Sequence, residues 1–189
     1  VEPVYATSDA IGYYYARKFT CRFLDIHAGW AEDELVDAWS GDIFLGLDLQ
    51  PEVVPVQRDY LLSLHRRGVK IYFIVYDLLP VLKPRVFRSG TQANYQRWLE
   101  TISNFDGAVC ISRVVAAELD AWQRIHISQR LRSFKIHWFH LGANVENTVP
   151  TSGLPDDTNI VFKELASRPT FLLVGTIEPR KCQTQALDA

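Results

Sequence analysis

The sequence has no methionine, only three cysteines among 189 residues, and no apolar run approaching the roughly 18 residues that a membrane span needs. Without a methionine there is no initiator, which leads us to expect a piece of a longer protein. Cys21, Cys110 and Cys182 stand far apart, with no C-x-x-C pair and no histidine at ligand spacing. That excludes a zinc site and a disulfide framework and points to a reducing compartment. The opening VEPVYATSDA lacks the basic-then-apolar layout of a secretory leader. Neither sign of charge prevails: 20 Lys plus Arg face 22 Asp plus Glu, a formal net charge of −2. Nothing in that balance recommends nucleic acid or an acidic membrane as a partner. No G-x-G-x-x-G follows any apolar run, which argues against the dinucleotide-dependent oxidoreductases that a parallel α/β sheet would otherwise suit.

What is present is core material, 48% of the residues being hydrophobic. Five segments read as buried strands: Asp42 to Leu47, Val69 to Tyr76, Ala108 to Ile111, Lys135 to Phe139 and Thr170 to Val174. VKIYFIVY and TFLLV are nearly continuous in apolar residues, as in parallel strands covered on both faces. Helices alternate with them. Val53, Val56, Tyr60, Leu61 and Leu64 recur at steps of three and four, and Arg66, Arg67 and Gly68 supply a cationic last turn and a C-terminal cap. Thr91 to Ser103 is a second helix, ending at Asp106-Gly107, and Arg113 to Gln123 a third, with Ser112 as N-cap. Strand and helix in regular succession predict right-handed crossovers and a Rossmann-like, doubly wound parallel α/β sheet. The first forty residues carry weaker signals, for strands at Val4 to Ala6 and Phe19 to Leu24 and a helix at Glu32 to Trp39.

From Glu146 to Asn159 the chain turns to small polar residues with two prolines and a glycine, the mark of an exposed connection. A short helix over Ile160 to Ser167 then leads to TFLLV. The expected organisation is a Rossmann-like domain over 1–149, a connector over 150–169, and the start of a second α/β domain over 170–189.

Open parallel sheets bind ligands beyond the carboxyl ends of their strands. After TFLLV come Gly175, Thr176, Pro179, Arg180 and Lys181. Glycine permits close approach, and two cations beside a helix N-terminus can form an anion site; the same pair also reads as solvated residues of a first helical turn. Asp77, directly after VKIYFIVY, reads equally as a group facing the cleft or as a cap on the turn before Leu78-Leu79-Pro80. Ser112 is explained mainly by capping, with Arg113 beside it on the same strand edge. His140 and Gly142 follow the last strand of the first domain, at the expected cleft between the domains, although a lone histidine is more often structural. Tyr13-Tyr14-Tyr15 reads as core or interface, with a sugar-stacking platform as the alternative.

Four segments, in order, resemble one family. VYDLLPVLKP (Val75 to Pro84), FDGAVCISRVVAAEL (Phe105 to Leu119), WFHLGANVENTVPTSGLP (Trp138 to Pro155) and RPTFLLVGTIEPRK (Arg168 to Lys181) are similar to the GT-B-type retaining glycosyltransferases, most of all the bacterial mannosyltransferases that build O-antigen polysaccharides. The resemblance runs from Asp42 to the end and implies most of the N-terminal, acceptor-side domain plus the start of the donor-binding domain. It implies that Lys181 and Arg180 contact the donor diphosphate, with Gly175 allowing close approach, and that Thr176 stands where some relatives place an arginine. Cys182 stands where glycine or asparagine is common. Tyr76-Asp77 occupies the place of a His-Asp pair, so Tyr76 and Asp77 are the catalytic candidates; tyrosine keeps a hydroxyl but not the titration of histidine.

The family's later glutamate pair, eight residues apart, would lie beyond Ala189, and its opening strand and glycine-bearing loop before Val1, so this chain alone is expected to be inactive. The implied partners are a nucleotide sugar, GDP-mannose foremost, and a glycan or lipid-linked glycan acceptor, in the bacterial cytoplasm or peripherally at the inner membrane. No cofactor or metal is expected, since basic side chains and helix ends meet the phosphate charge and no Asp-x-Asp is present. The competing reading is a non-catalytic α/β module that binds a nucleotide or glycan, or scaffolds an assembly.

Overall fold

The run from Val69 to Tyr76 is the strand on which the first unit is built. The structure, a computed structural model, describes residues 1–27, 32–127, 133–142 and 154–188. They fall into two units, Val1–Leu141 and Gly142–Ala189. The expected boundary near residue 150 lies within 143–153, outside the described residues.

In the first unit β3 (Ile43–Gly46), β4 (Lys70–Val75), β5 (Gly107–Cys110) and β6 (Lys135–Trp138) form a parallel sheet in the order β3-β4-β5-β6. Val75 stands opposite Cys110, and Cys110 opposite Trp138, so the strands end together. The crossovers carry α2 (Arg58–Arg66), then α3 (Leu79–Leu82), a 3-10 turn (Pro84–Val86) and α4 (Thr91–Ile102), then α5 (Arg113–His126). This is the Rossmann-like α/β arrangement the sequence predicts. Gly68 closes α2 in a left-handed conformation, φ 94°, its N–H donating to the His65 carbonyl at 3.1 Å; a side chain there would be strained.

Each crossover advances one strand in the same direction, so a single handedness places its helices on the same face of the sheet. The core agrees. Ile71, Phe73 and Val75 of β4 and Ala108 and Cys110 of β5 are fully buried in one cluster with Leu61, Leu64, Trp98, Leu99, Ile102 and Leu119 from the helices. The residues between them point the other way. Leu45 lies opposite Tyr72, and Val109 opposite His137, on the face away from that cluster. There Ile43 is 69% exposed and Leu45 43% at the β3 side, while Ile74 in the middle of the sheet is buried.

The turn before β5 is pinned to β4 by Asp106. Its Oδ2 accepts from the Ile71 N–H at 2.8 Å and meets His65 Nε2 at 3.0 Å, while Oδ1 faces Lys70 Nζ at 3.3 Å.

Three expectations for the N-terminal region need correction. Phe19 to Leu24 is not a strand but lies in or just after α1 (Arg17–Phe23), where Phe19 and Phe23 stack one turn apart with centroids 6.0 Å apart. The aromatic content suggested a strand, but the helical period fits better. Glu32 to Trp39 is not a helix: the Tyr15 N–H donates to the Glu34 carbonyl at 2.9 Å and the Val36 N–H to the Tyr13 carbonyl at 2.8 Å. Those groups are thereby taken from any helical ladder. The helix read from Val53 onward starts regularly only at Arg58, after turns over 51–57. The expected strand at Val4 is present as β1 (Val4–Tyr5), antiparallel to β2 (Tyr14–Tyr15). Tyr13 is buried edge-on against Phe44, centroids 4.8 Å apart, which makes it core.

In the second unit the expected short helix is α6 (Thr158–Ala166), and a 3-10 turn (Pro179–Lys181) precedes α7 (Gln183–Asp188). Thr170 to Val174 is not a strand, and Phe171 is 99% exposed. A strand exists through its ladder bonds, and no described segment of this unit supplies a neighbour.

Candidate active site

Because the strands of the first unit end together, the residues that follow them share one edge. The Ile111 N–H donates to the Val75 carbonyl at 3.1 Å and the Phe139 N–H to the Cys110 carbonyl at 3.0 Å, extending the ladder past β4, β5 and β6. Tyr76 and Asp77, Ser112 and Arg113, and His140 are brought to that edge.

Their polar atoms are largely engaged. The Tyr76 hydroxyl, on a half-exposed side chain, donates to the Leu47 carbonyl at 2.7 Å and ties the loop after β3 to the end of β4. Asp77 Oδ1 accepts from the Leu79 N–H at 2.9 Å, so the carboxylate caps the turn into α3. The Asp77 carbonyl receives the hydroxyl of Tyr95. Burial pushes the Tyr95 phenol well above its ordinary range, with the Asp77 charge adding to the effect, which keeps it a neutral donor. Ser112 Oγ accepts from the Val115 N–H at 3.2 Å, the N-cap geometry expected of it. Burial also raises the Cys110 thiol to about 11, so it is a packing group beneath the edge. Arg113 and His140 are exposed; the His140 ring stands at 79° to the Trp138 indole, centroids 5.1 Å apart.

The phosphate-loop candidates lie in the second unit. Gly175 has φ 151°, a conformation L side chains rarely adopt, and a Cβ built there would sit 3.7 Å from Lys181 Cδ and Cε. The Lys181 stem therefore lies close to the Gly175 backbone. Arg180 and Lys181 belong to the 3-10 turn and not to the first turn of α7. Cys182 separates the two in a left-handed conformation, φ 56°, which glycine and asparagine adopt more readily. Arg180 Nε donates to Glu178 Oε2 at 2.6 Å, and the Thr176 hydroxyl donates to Glu178 Oε1. The Arg180 hydrogen bond first, then that from Thr176, holds the Glu178 carboxyl below its usual range. Gln183 Nε2 donates to the Thr176 carbonyl at 2.7 Å and closes the loop. Lys181 makes no salt bridge among the described residues. Gly142, the first residue of this unit, has nothing within 4 Å of a built Cβ.

Two residues escaped the sequence reading. Glu178 sits two positions before Arg180, a spacing that within one tight turn favours an ion pair. Trp138 shares the strand face of Ile136, and alternation along KIHWF was the available signal.

Among curated proteins, two sequences of the serotype-specific mannosyltransferase WbdA from Escherichia coli are 30% identical to this chain over 177 residues, 91% of its length. A third is 31% identical over 163 residues, 85% of the chain. The chain is similar to mannosyltransferases. It spans about a fifth of the relatives' own length, between 20% and 22%. No family model matches, and no solved structure does. The expected resemblance to a bacterial mannosyltransferase is borne out across both units.

Proposed function

We propose that the chain is part of a glycosyltransferase that moves mannose from GDP-mannose to a growing surface polysaccharide of the O-antigen type, with retention of anomeric configuration. The observation that carries this reading is the identity to mannosyltransferases over 91% of the chain. The first unit presents the acceptor-side loops, and the loop of the second takes the diphosphate.

In the reaction the bond between the anomeric carbon and the diphosphate oxygen breaks, and its electron pair leaves with GDP. The acceptor hydroxyl oxygen bonds to the same face of the anomeric carbon, and its proton passes to the departing diphosphate. Lys181, with Arg180 once it shares or leaves Glu178, meets the charge growing on the leaving group, and the open backbone at Gly175 lets the phosphates approach. Asp77 and Tyr76 hold the loop after β4 in shape, so the acceptor meets a fixed edge. No metal is required where cations of the chain do this work. Catalysis takes place at the cytoplasmic side, on a glycan or lipid-linked glycan held peripherally at the membrane, and needs the longer protein; the 189-residue chain is inactive alone.

The test is product formation by a longer protein containing this chain, supplied with GDP-mannose, UDP-glucose or UDP-galactose and a mannose-ended acceptor, with the new linkage read by NMR. Mannose added from GDP-mannose as the α-anomer is the expected result. Nucleotide or glycan binding without transfer under any donor would instead support a non-catalytic binding module.

A further inference from the structure

A groove of about 430 Å³ runs between α5 and β6 in the first unit, open to solvent along one side. Its volume lies within the range of small-molecule sites. The wall on α5 is Arg113, Ala117 and Asp120, one face of the helix at steps of four and three, and the wall on β6 is Phe134, Ile136 and Trp138, alternate residues of one strand face. Phe134 is buried and Ile136 half-buried, while Trp138 at the outer end is 45% exposed. The indole is braced by the perpendicular ring of His140. Arg113 forms no salt bridge or hydrogen bond among the described residues, and Asp120 pairs with Arg124 at 2.7 Å through Oδ2, leaving Oδ1 outside that pair.

We infer that this groove is a subsite for one hexose of a glycan, with Trp138 stacking on its C–H face and Arg113 and Asp120 bonding its hydroxyls. An aromatic face with a guanidinium and a carboxylate beside it matches the two sides of a pyranose, an apolar ring face and a rim of hydroxyls that both donate and accept. A nucleotide diphosphate fits less well, because Asp120 would oppose its charge. Ala117 keeps the α5 wall low, since any longer side chain there would project into the groove. The groove starts at Arg113, next to the Ser112 cap, and runs along α5 to Asp120, away from the strand-end edge, so a sugar held here belongs to the part of the acceptor already built. The choice of a mannose-type glycan rests on the transferase reading; the choice of a hexose rests on the groove itself.

The probe is α-linked mannotriose, titrated against the 189-residue chain with saturation-transfer NMR and tryptophan fluorescence. Binding that weakens about five- to tenfold in Trp138→Ala is expected, the upper end of what one aromatic contact is worth. Ala117→Leu, which keeps Trp138 and a good helix former, should weaken it as much by filling the groove, and Trp39→Ala, at an exposed tryptophan elsewhere, should not change it. Absence of mannotriose binding to the unaltered chain, or equal binding by Trp138→Ala and Ala117→Leu, overturns the subsite. In a longer protein that transfers mannose, Ala117→Leu should raise KM for long acceptors at least threefold and leave a monosaccharide acceptor unaffected; an unchanged KM for both overturns the subsite while the transferase reading stands. If no donor yields product but mannotriose binding still depends on Trp138, the transferase reading fails and the subsite stands.

Discussion

Glu178 holds Arg180 by two hydrogen bonds, from Nε to Oε2 at 2.6 Å and from Nη2 to Oε1 at 3.4 Å. The carboxylate therefore offsets one of the two cations that were to meet the diphosphate, and a phosphate oxygen must share Arg180 with Glu178 or displace it. Lys181 has no such competitor among the described salt bridges. Replacing Lys181 with alanine in the longer protein should lower kcat/KM for GDP-mannose roughly 10- to 100-fold, the range for loss of one charge-assisted contact. Glu178→Gln should tighten GDP binding about threefold or more by removing the opposing charge. Steady-state turnover of GDP-mannose reads the first and isothermal titration with GDP the second; a Lys181→Ala kcat/KM within twofold of the parent would place the diphosphate elsewhere.

Asp106 ties acid stability to the N-terminal end of the sheet. Burial by itself would raise its carboxyl, but the Ile71 N–H, the Lys70 ammonium and the His65 ring outweigh that and hold it below the usual range. A depressed folded value means that the unfolded chain binds the proton first. The contribution is therefore fully present above the ordinary aspartate value of about 3.9 and is lost as pH falls through the folded value. Asp106→Asn should cost roughly 1–3 kcal/mol at pH 7 and flatten the decline in stability below about pH 4. Urea midpoints from pH 3 to pH 7 supply the measurement, and parallel curves for the two proteins would contradict it.

Gln57 fastens the N-terminal segment to the sheet unit. Its side chain is fully buried; Oε1 accepts from the Gly12 N–H at 2.7 Å, and Nε2 donates to the carbonyls of Thr7 at 2.9 Å and Ala10 at 2.6 Å. Gln57→Leu keeps the bulk but strands a buried backbone donor, and the expected loss is roughly 2–3 kcal/mol, with faster hydrogen exchange at the Gly12 amide. A change below about 0.5 kcal/mol, the scale of an ordinary surface substitution, would show that the segment is held by other contacts.

The parts legible in the sequence are those where local signals and tertiary packing agree. VKIYFIVY, the Arg113 helix with its Ser112 cap and the Gly68 helix end each combine pattern, propensity and a terminator, and the parallel order follows from their alternation. The first forty residues misled because their partners are remote: Glu34 and Val36 give their backbone groups to Tyr13 and Tyr15, a pairing no local window contains. At the candidate site, the strand-end positions were legible because parallel strands must end on a common edge. The tie between Glu178 and Arg180 was not, since it depends on the 3-10 turn that brings the two side chains together. TFLLV carried a strand signal, but a signal cannot supply the neighbour that a ladder needs.

The two faces of the sheet set up one further test. Tyr72 and Phe73 are adjacent in β4, yet Phe73 is fully buried in the core and Tyr72 lies half-buried on the opposite face, across from Leu45. Substitutions on the two faces should therefore separate sharply. Phe73→Ala removes buried volume and should cost about 3–5 kcal/mol. Ile43→Thr with Leu45→Thr places β-branched residues in an edge strand and removes only partly exposed apolar area, so stability should move by no more than about 0.5 kcal/mol. The same pair should cut the fluorescence of bound anilinonaphthalene sulfonate by about half, since that dye reports contiguous exposed apolar surface. Urea unfolding and dye titration on the 189-residue chain give both quantities. A Leu45→Thr loss as large as that of Phe73→Ala would mean that the β3 side of the sheet is packed in solution, and the exposure of that side would have to be abandoned.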